Sequence, residues 1–335
     1  MLINLLMENL LNILKDELLG FFSVQGLVNL IESGNYSSLR TWQGVTAIID
    51  PLIPLIVVIE IVMAFIKRKL TFAEYRIPFF VYVFNRTAGR FLSLGVIGFC
   101  IGYISPLVWV HIPLTWYGFI MGYVVWEFSH FIYHYLAHKV RLLWCLHATH
   151  HAPVQMNLSV TYAHFILEAP YADLIRTSIC LFFGVPLPML FAIMFIDGTW
   201  GAFIHVGENF LKNSQLGFLE KYILTPSHHR VHHARNPLYI DTNFCNLLNI
   251  WDRIFKTYQP EQADIEIEYG ITRSMDPKNF WDVYFGELYY LALDIYKAPG
   301  LVNKLLYFIM PPGWSHTGAH KTASVMRNNY LKKST

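Results

Sequence analysis

Most histidines of this chain lie in three short motifs. Of its 15 histidines, 12 fall between His130 and His233. The motifs read HxxxH, HxxHH and HxxHH, and they lie in the segments EFSHFIYHYLAH (127–138), LHATHH (146–151) and TPSHHRVHHARN (225–236). Neutral imidazole is a common ligand of iron, copper, zinc and nickel. Three ordered motifs of this kind therefore predict a metal centre, although the ligand type alone does not choose the metal.

The spacing inside each motif places its imidazoles on one side of a helix, because residues three and four apart are neighbours on a helix surface. Each HxxHH could present up to three imidazoles to one point. One zinc ion takes about four ligands, so the motifs together predict two metal ions with room for a small molecule. The predicted ligands are His134, His138, His147, His150, His151, His229, His232 and His233.

Glu127 is the candidate catalytic residue outside the histidines. It lies three residues before His130 and seven before His134, so a helix would place all three on one stripe. A carboxylate there can accept the second ring N–H of a metal-binding histidine, which fixes the tautomer and strengthens the other nitrogen as a ligand. The alternative is that Glu127 is only a buried polar residue.

The elements that carry these motifs are predicted to be membrane helices. The chain is 54% hydrophobic and only 14% charged, and several apolar runs approach the roughly 20 residues that span a bilayer. These runs cover 47–66, 91–110, about 116–137 and a hairpin within 170–204. We therefore predict an all-α fold, a polytopic membrane helical bundle.

Lysine and arginine side chains predict the orientation of this bundle. The sequence KRK (67–69) follows the first apolar run, which assigns that end to the cytoplasm. Counting the spans from there puts the three histidine motifs, and so the predicted di-metal site, on the cytoplasmic face. The expected location is an integral membrane protein of the endoplasmic reticulum in a eukaryote, or of the inner membrane in a bacterium.

The three motifs in this order resemble the fatty acid hydroxylase/sterol desaturase superfamily of membrane di-iron oxygenases. The segments NIWDRIFKTYQPE (249–261), EYGIT (268–272) and PPGW (311–314) strengthen the resemblance, which covers roughly 45–315. It implies ligands at the eight histidines above and at His205, and it adds His228 as a further candidate. It also implies two iron ions, dioxygen as the oxidant, and attack on a C–H bond of a lipid.

Within that superfamily the chain looks most similar to members that cleave glyceryl ether lipids, which brings tetrahydrobiopterin into consideration as electron donor. Three residues depart from the usual first motif: His130, Tyr135 and Lys139. The haem motif HPGG is absent, so a separate electron donor is expected as a partner, beside the lipid substrate, dioxygen and the membrane. A net charge of +2 gives no reason to expect nucleic acid.

The resemblance therefore implies an oxidoreductase, an O2-dependent lipid monooxygenase. Three segments are expected: an amphipathic N-terminal segment over 1–45, a membrane di-iron oxygenase domain over 46–258, and a cytoplasmic or interfacial C-terminal segment over 259–335. One alternative is a sterol or lipid desaturase that uses the same di-iron site. An alternative of another class is a membrane metal transporter or metal-binding protein, whose ligands would be expected near the middle of the bilayer.

Overall fold

The structure is a computed structural model. It describes residues 22–34, 41–67, 72–85, 88–208 and 216–334, with residues 12, 15, 16, 19, 20, 37 and 211. Within these residues the regular structure is helical, and β-pairing is limited to two isolated bridges. The all-α prediction is confirmed. Of the predicted amphipathic segment at the N-terminus, residues 1–11 and ten further residues lie outside the described residues.

The chain separates into two compact units, residues 1–70 and residues 71–335. In the first unit the described helices are α1 (Gln25–Ser33), α2 (Trp42–Ile49) and α3 (Leu52–Ile66). Among the described residues, Ala47–Ile66 is the one helical stretch both long and apolar enough to cross a membrane, by length and composition. It coincides with the first predicted span. The predicted segment boundaries after residues 45 and 258 remain predictions.

The second unit contains all three histidine motifs. Its described helices are α4 (Phe72–Asn85), α5 (Ala88–Tyr103), α6 (Trp116–Lys139), α7 (Arg141–His151), α8 (Glu168–Phe182), α9 (Leu187–Phe203), α10 (Pro226–His232), α11 (Ile250–Ile254), α12 (Phe280–Lys297), α13 (Gly300–Ile309) and α14 (Ala323–Ser334). Short 3-10 turns lie at Ser105–Leu107, Leu158–Tyr162 and Gly217–Lys221. Two further predicted spans appear as shorter apolar helices, Phe91–Tyr103 and Leu187–Phe203.

The helix α6 is the central element of this unit. Thr115 begins it, because the Thr115 hydroxyl accepts the backbone N–H of Gly118 (3.1 Å) and so satisfies one of the free donors of the first turn. The helix packs against α7, α8, α9 and α11, with the buried Trp126 in the core that it shares with α8 and α9. It ends where Val140 becomes extended, and α7 begins at the next residue. The first two histidine motifs therefore lie on two adjoining helices.

The outer surface of the same unit is apolar along α5 and the start of α6. Phe91 is 72% exposed and Trp116 is 77% exposed, and Leu94, Phe99 and Ile120 are also exposed. Soluble monomers rarely expose a continuous surface of large apolar side chains. This surface fits contact with lipid, in agreement with the predicted membrane location.

A glycine shapes the connection between α8 and α9. Gly184 has a φ of +69°, and a Cβ atom added there would lie 1.6 Å from the carbonyl oxygen of Val110. The carbonyl of Gly184 also accepts the N–H of Ile112 (3.1 Å), so the 108–112 segment lies directly against this turn. Only glycine fits both the conformation and the close backbone contact.

We expect the substitution Gly184→Ala to lower the thermal stability of the detergent-purified protein. The left-handed conformation alone costs a non-glycine residue about 1–3 kcal/mol, and displacement of the Val110 carbonyl adds to that cost. The matched control is Gly95→Ala on α5, where an added Cβ meets nothing within 4 Å and should leave the melting temperature unchanged or slightly higher. Equal melting temperatures for both variants would show that the turn is not constrained in this way.

Candidate metal centre

Nine of the ten histidines predicted as ligands meet in two buried clusters. The first cluster consists of His134, His138, His147, His151 and His232. The second cluster consists of His150, His205, His229 and His233. Within each cluster, one possible ligand atom from every residue lies within 4.8 Å of the others. The clusters are neighbours, since the ring centroids of His151 and His233 lie 4.3 Å apart.

The two HxxHH motifs divide between the clusters instead of each converging on one point. His147 and His151, four residues apart, belong to the first cluster, and the intervening His150 belongs to the second. The third motif does the reverse, because only its middle histidine, His232, reaches the first cluster. Around the helix axis, residue i+4 is rotated about 40° from residue i in one direction, and residue i+3 is rotated from it in the opposite direction. The expectation that each HxxHH motif brings three imidazoles to one point is therefore wrong. Each motif gives two imidazoles to one cluster and one imidazole to the other.

Hydrogen bonds at Nδ1 fix the tautomers in the first cluster. The Nδ1 of His134 donates to the carbonyl of Phe244 (2.9 Å), and the Nδ1 of His232 donates to the carbonyl of Thr242 (2.8 Å). A carbonyl oxygen can only accept, so each Nδ1 carries the proton and each Nε2 has a free lone pair. The Nδ1 of His147 is 2.6 Å from a carboxylate oxygen of Glu168, which has the same effect.

The inward nitrogens of this cluster are placed as ligands of a cation. The Nε2 atoms of His134 and His151 each lie 3.1 Å from the Nε2 of His147. The Nδ1 atoms of His134 and His147 carry the protons, so their two Nε2 lone pairs cannot form a hydrogen bond, whereas adjacent ligands at about 2.1 Å from one metal ion are about 3.0–3.4 Å apart. Among the described residues, the buried Nε2 atoms of His138 and His232 have no hydrogen-bond partner. The donor set therefore fits a metal ion.

The second cluster has the same arrangement around His205. Its Nδ1 donates to the carbonyl of Gly201 (2.6 Å), near the end of α9. Its Nε2 lies 3.2 Å from the Nε2 of His150 and 2.9 Å from that of His229. The Nε2 of His233 completes the group at 3.1 Å from that of His229. These four nitrogens again lie at the separations of neighbouring ligands.

Burial keeps several of these imidazoles uncharged at neutral pH. It lowers the pKa of His138 to about 4 and the pKa of His205 to about 3. The pKa values of His151, His232 and His233 are lowered well below the usual range, first by burial and then by the neighbouring imidazoles. Metal binding requires unprotonated ligands. These five histidines can therefore bind a cation at neutral pH without first losing a proton.

Glu168 and Asp241 support the first cluster, and the sequence reasoning missed both. Besides His147, Glu168 accepts the hydroxyl of Tyr133 (2.8 Å), and its other oxygen is 2.9 Å from the Nδ1 of His164. Asp241 lies 3.2 Å from the Nδ1 of His138. A carboxylate at the first residue of α8, just before an apolar run, was the one available signal for Glu168. No spacing rule links Asp241 to a histidine 103 residues earlier.

Glu127 has different partners from those predicted by its spacing. One carboxylate oxygen accepts the backbone N–H groups of Leu247 (2.7 Å) and Leu248 (2.8 Å), and the other accepts that of Asn246 (3.2 Å). The residue is fully buried. Glu127 therefore supports the first cluster indirectly rather than through an imidazole. It holds the backbone of residues 246–248, which continue the segment whose Phe244 carbonyl orients His134.

His228 is the predicted ligand that the structure does not bring to either cluster. Its Nδ1 lies 2.9 Å from the hydroxyl of Thr225, within the first turn of α10, and its Nε2 is 2.8 Å from the hydroxyl of Tyr258. Its buried ring therefore lies on the side of α10 that faces away from the two clusters. We interpret His228 as a cap of α10 that holds the third motif in place.

A cavity of about 230 Å³ opens onto both clusters. Its wall is built by α6, α8 and α9, and small residues make the space: Ala169, Ala172, Gly198, Gly201 and Ala202. A second, smaller cleft of about 60 Å³ reaches His138, His151 and His232 from the side of the C-terminal segment. The cavity therefore gives access to both clusters, and the cleft gives a second access to the first cluster.

We expect the substitution Glu168→Gln to lower metal affinity about 10–100-fold, because the carboxylate would no longer hold the proton on the Nδ1 of His147. Metal titration followed by elemental analysis of the purified variant measures this effect. The control is Glu266→Gln, at an exposed position away from the clusters. Unchanged affinity in Glu168→Gln would mean that this hydrogen bond does not support the cluster.

Comparison with known proteins agrees with the motifs. Residues 119–257 match the family model described as fatty acid hydroxylase. The chain is 32% identical over 203 residues to alkylglycerol monooxygenase of Homo sapiens and 34% identical over 209 residues to that of Danio rerio, covering in both cases 60% of this chain and 43% of the relative. It is 28% identical over 153 residues to ornithine lipid hydroxylase OlsE of Rhizobium tropici, covering 46% of this chain and 45% of the relative.

The chain spans less than half the length of these relatives. No solved structure matches it. The predicted resemblance to the fatty acid hydroxylase family is confirmed by the matched residues, which include all three histidine motifs.

Proposed function

From the fatty acid hydroxylase domain that residues 119–257 form, we propose that this chain is a membrane di-iron oxygenase. It hydroxylates a C–H bond of a lipid with dioxygen. The observation that carries the proposal is the pair of buried imidazole clusters, five residues and four residues, on the wall of one cavity. A structural zinc site is closed by about four ligands, whereas the first cluster alone offers five imidazoles and both clusters border the cavity.

Iron fits the donor set because neutral imidazole is a ligand that iron accepts. The proposed ligands are the nine residues of the two clusters. When bound, two iron ions would supply the oxidising chemistry that inserts one oxygen atom of dioxygen into an unactivated C–H bond. The protein keeps the ligand nitrogens unprotonated and inward, through Glu168, Asp241 and the backbone carbonyls at Nδ1. Burial of the clusters limits the access of water.

The membrane environment is part of the proposal. The apolar surface of α5 and α6 and the stretch Ala47–Ile66 support insertion in a bilayer. The basic residues 67–69 support a cytoplasmic orientation of the end of that stretch, and with the predicted spans they put the clusters on the cytoplasmic face. A site there reaches a lipid near its polar end.

A glyceryl ether lipid is the proposed substrate, and a separate molecule is the electron donor. Two similarities support this: the relatives called alkylglycerol monooxygenase, and the motifs around 249–272 that resemble ether-cleaving members. Hydroxylation of the carbon next to the ether oxygen gives a hemiacetal, which separates into an aldehyde and glycerol. Tetrahydrobiopterin is the proposed donor, on the same similarity alone.

Labelled dioxygen tests the proposed reaction. The purified protein, loaded with iron in lipid nanodiscs, is supplied with a 1-O-alkylglycerol, tetrahydrobiopterin and ¹⁸O2. The expected result is oxygen consumption and an aldehyde formed together with glycerol, with the label traced by rapid trapping of the aldehyde before exchange with water. An unsaturated lipid with all label in water would indicate a desaturase. Iron binding without oxygen consumption on any lipid would indicate a metal-binding protein.

We expect His150→Ala and His233→Ala to lose bound metal and activity, because each removes a nitrogen from the second cluster. Iron per chain and lipid oxidation are measured on the same preparations. His111→Ala is the matched control, since His111 is exposed in a loop before α6. Full metal content and activity in both cluster variants would contradict the di-metal proposal.

We expect Gly198→Leu to block the cavity without removing metal. Gly198 lines the cavity on α9, and an added Cβ there meets nothing within 4 Å, so a larger side chain extends into the open space. Lipid oxidation should fall at least about tenfold while iron content stays near that of the unmodified protein. Gly98→Leu on α5, where the space is also open, should retain activity. Full activity of Gly198→Leu would mean that the lipid uses another route to the clusters.

A further inference from the structure

The cavity that opens onto the clusters has a polar part that neither cluster uses. Three helices contribute one side chain each: His130 from α6, Arg176 from α8 and Asp197 from α9. All three side chains are largely buried, with exposed fractions of 13%, 18% and 3%. A cavity that only had to hold a hydrocarbon chain would not need these groups, because burying them costs free energy.

Their hydrogen-bonding capacity is incompletely used within the described part of the chain. The buried Nδ1 of His130 and the buried Nε of Arg176 have no hydrogen-bond partner there. The nearest carboxylate oxygen of Asp197 is 3.8 Å from the Nδ1 of His130, which is too long for a hydrogen bond. The Asp197 carboxylate is contacted by the hydroxyl of Tyr123 (3.4 Å) and by the side chains of Trp126 and Asn246, so the unused hydrogen-bonding capacity lies on His130 and Arg176. Buried polar atoms of this kind normally bind water or a ligand.

The position of Arg176 is fixed by its surroundings. Its guanidinium lies over the rings of Trp126 (5.1 Å) and Tyr133 (5.4 Å), and one terminal nitrogen donates to Asp173 (2.8 Å). These contacts hold the planar group in one orientation and leave other N–H donors available. Asp173 also balances its charge. Arg176 is thus a fixed donor beside the cavity rather than a free cation.

The three groups together match hydroxyl groups better than a charged ligand. Arg176 only donates, an ionised Asp197 only accepts, and His130 can do either, whereas each hydroxyl both donates and accepts. A phosphate would face the Asp197 carboxylate, and a cation would face the Arg176 guanidinium. The space of about 230 Å³ is several times the roughly 30 Å³ share of one water molecule, so it can hold more than a single bridging water.

We propose that His130, Arg176 and Asp197 form a headgroup site that binds the hydroxyl groups of an uncharged lipid. The site would orient the polar end of the lipid in the cavity and so place the neighbouring C–H bonds beside the two clusters. The inference rests on the proposed function, since it takes this cavity to be the substrate cavity. To the proposed function, it adds the residues that would select the lipid headgroup.

Binding of two matched lipids tests the headgroup site. The probes are 1-O-hexadecylglycerol and its 2,3-di-O-methyl ether, which has the same chain and no hydroxyl donors. Their dissociation constants are measured without oxygen, by displacement of a fluorescent alkyl lipid from the full-length protein in nanodiscs. The unmodified protein should bind the diol at least about tenfold more tightly than the dimethyl ether. Equal binding of the two probes would overturn the proposal.

Variants separate the headgroup site from general effects on folding. His130→Phe and Asp197→Asn should reduce the preference for the diol to about threefold or less, with unchanged metal content. His130→Asn, which keeps a donor and an acceptor, should retain part of it. Thr161→Val removes a hydroxyl elsewhere in the same cavity and should leave the preference unchanged. If Asp197→Asn fails to fold, the two His130 variants decide the matter, and an undiminished preference in His130→Phe overturns the proposal.

Two further measurements distinguish this inference from the proposed function. Tighter binding of 1-O-hexadecylglycerol 3-phosphate than of the diol would overturn the assignment of an uncharged headgroup. Oxidation of both neutral probes is then followed in the presence of oxygen and reductant. Selective binding of the diol without oxidation of either probe would support the headgroup site and contradict the proposed oxygenase. Oxidation of the probes without any binding preference for the diol would support the proposed oxygenase and contradict the headgroup site.

Discussion

The two clusters depend on hydrogen bonds that point away from them. A buried neutral imidazole has one N–H and one lone pair, and the partner of the N–H decides which nitrogen faces inward. In the first cluster the carbonyl of Phe244 and the carboxylate of Glu168 accept the Nδ1–H groups of His134 and His147. The carbonyl of Gly201 does the same for His205 in the second. Without these acceptors the Nε2 lone pairs would not converge on two points.

These acceptors come from segments far apart in the chain, so the clusters exist only in the folded unit. Glu168 begins α8, Gly201 lies in α9, and Phe244 follows the third motif. Glu127 holds the backbone of residues 246–248 to α6 and thereby steadies the segment next to Phe244. The packing of α6 against its neighbours therefore determines both the ligand positions and the wall of the cavity. The apolar outer surface lets the same unit face lipid.

The sequence predicted the histidines well because their spacing is local. Nine of the ten ligands predicted from the sequence reach the clusters, since helix geometry alone puts residues three and four apart on related faces. It did not predict the division of each HxxHH between two clusters, because that depends on how α7 and α10 face each other. Glu168 and Asp241 were missed and Glu127 was given other partners because those contacts are long-range. The predicted spans were only partly matched, since polar residues along α6 interrupt its apolar run.

The Nε2 atoms of these nine histidines are the proposed ligands of two metal ions. X-ray absorption at the iron edge of the purified, iron-loaded protein measures this ligand shell directly. We expect a shell dominated by nitrogen at about 2.0–2.2 Å, with the multiple-scattering pattern of several imidazoles per iron. His147→Ala should reduce the imidazole contribution in proportion to the ligand lost. A shell dominated by sulfur or by carboxylate oxygen, or a spectrum unchanged in His147→Ala, would show that these histidines are not the ligands.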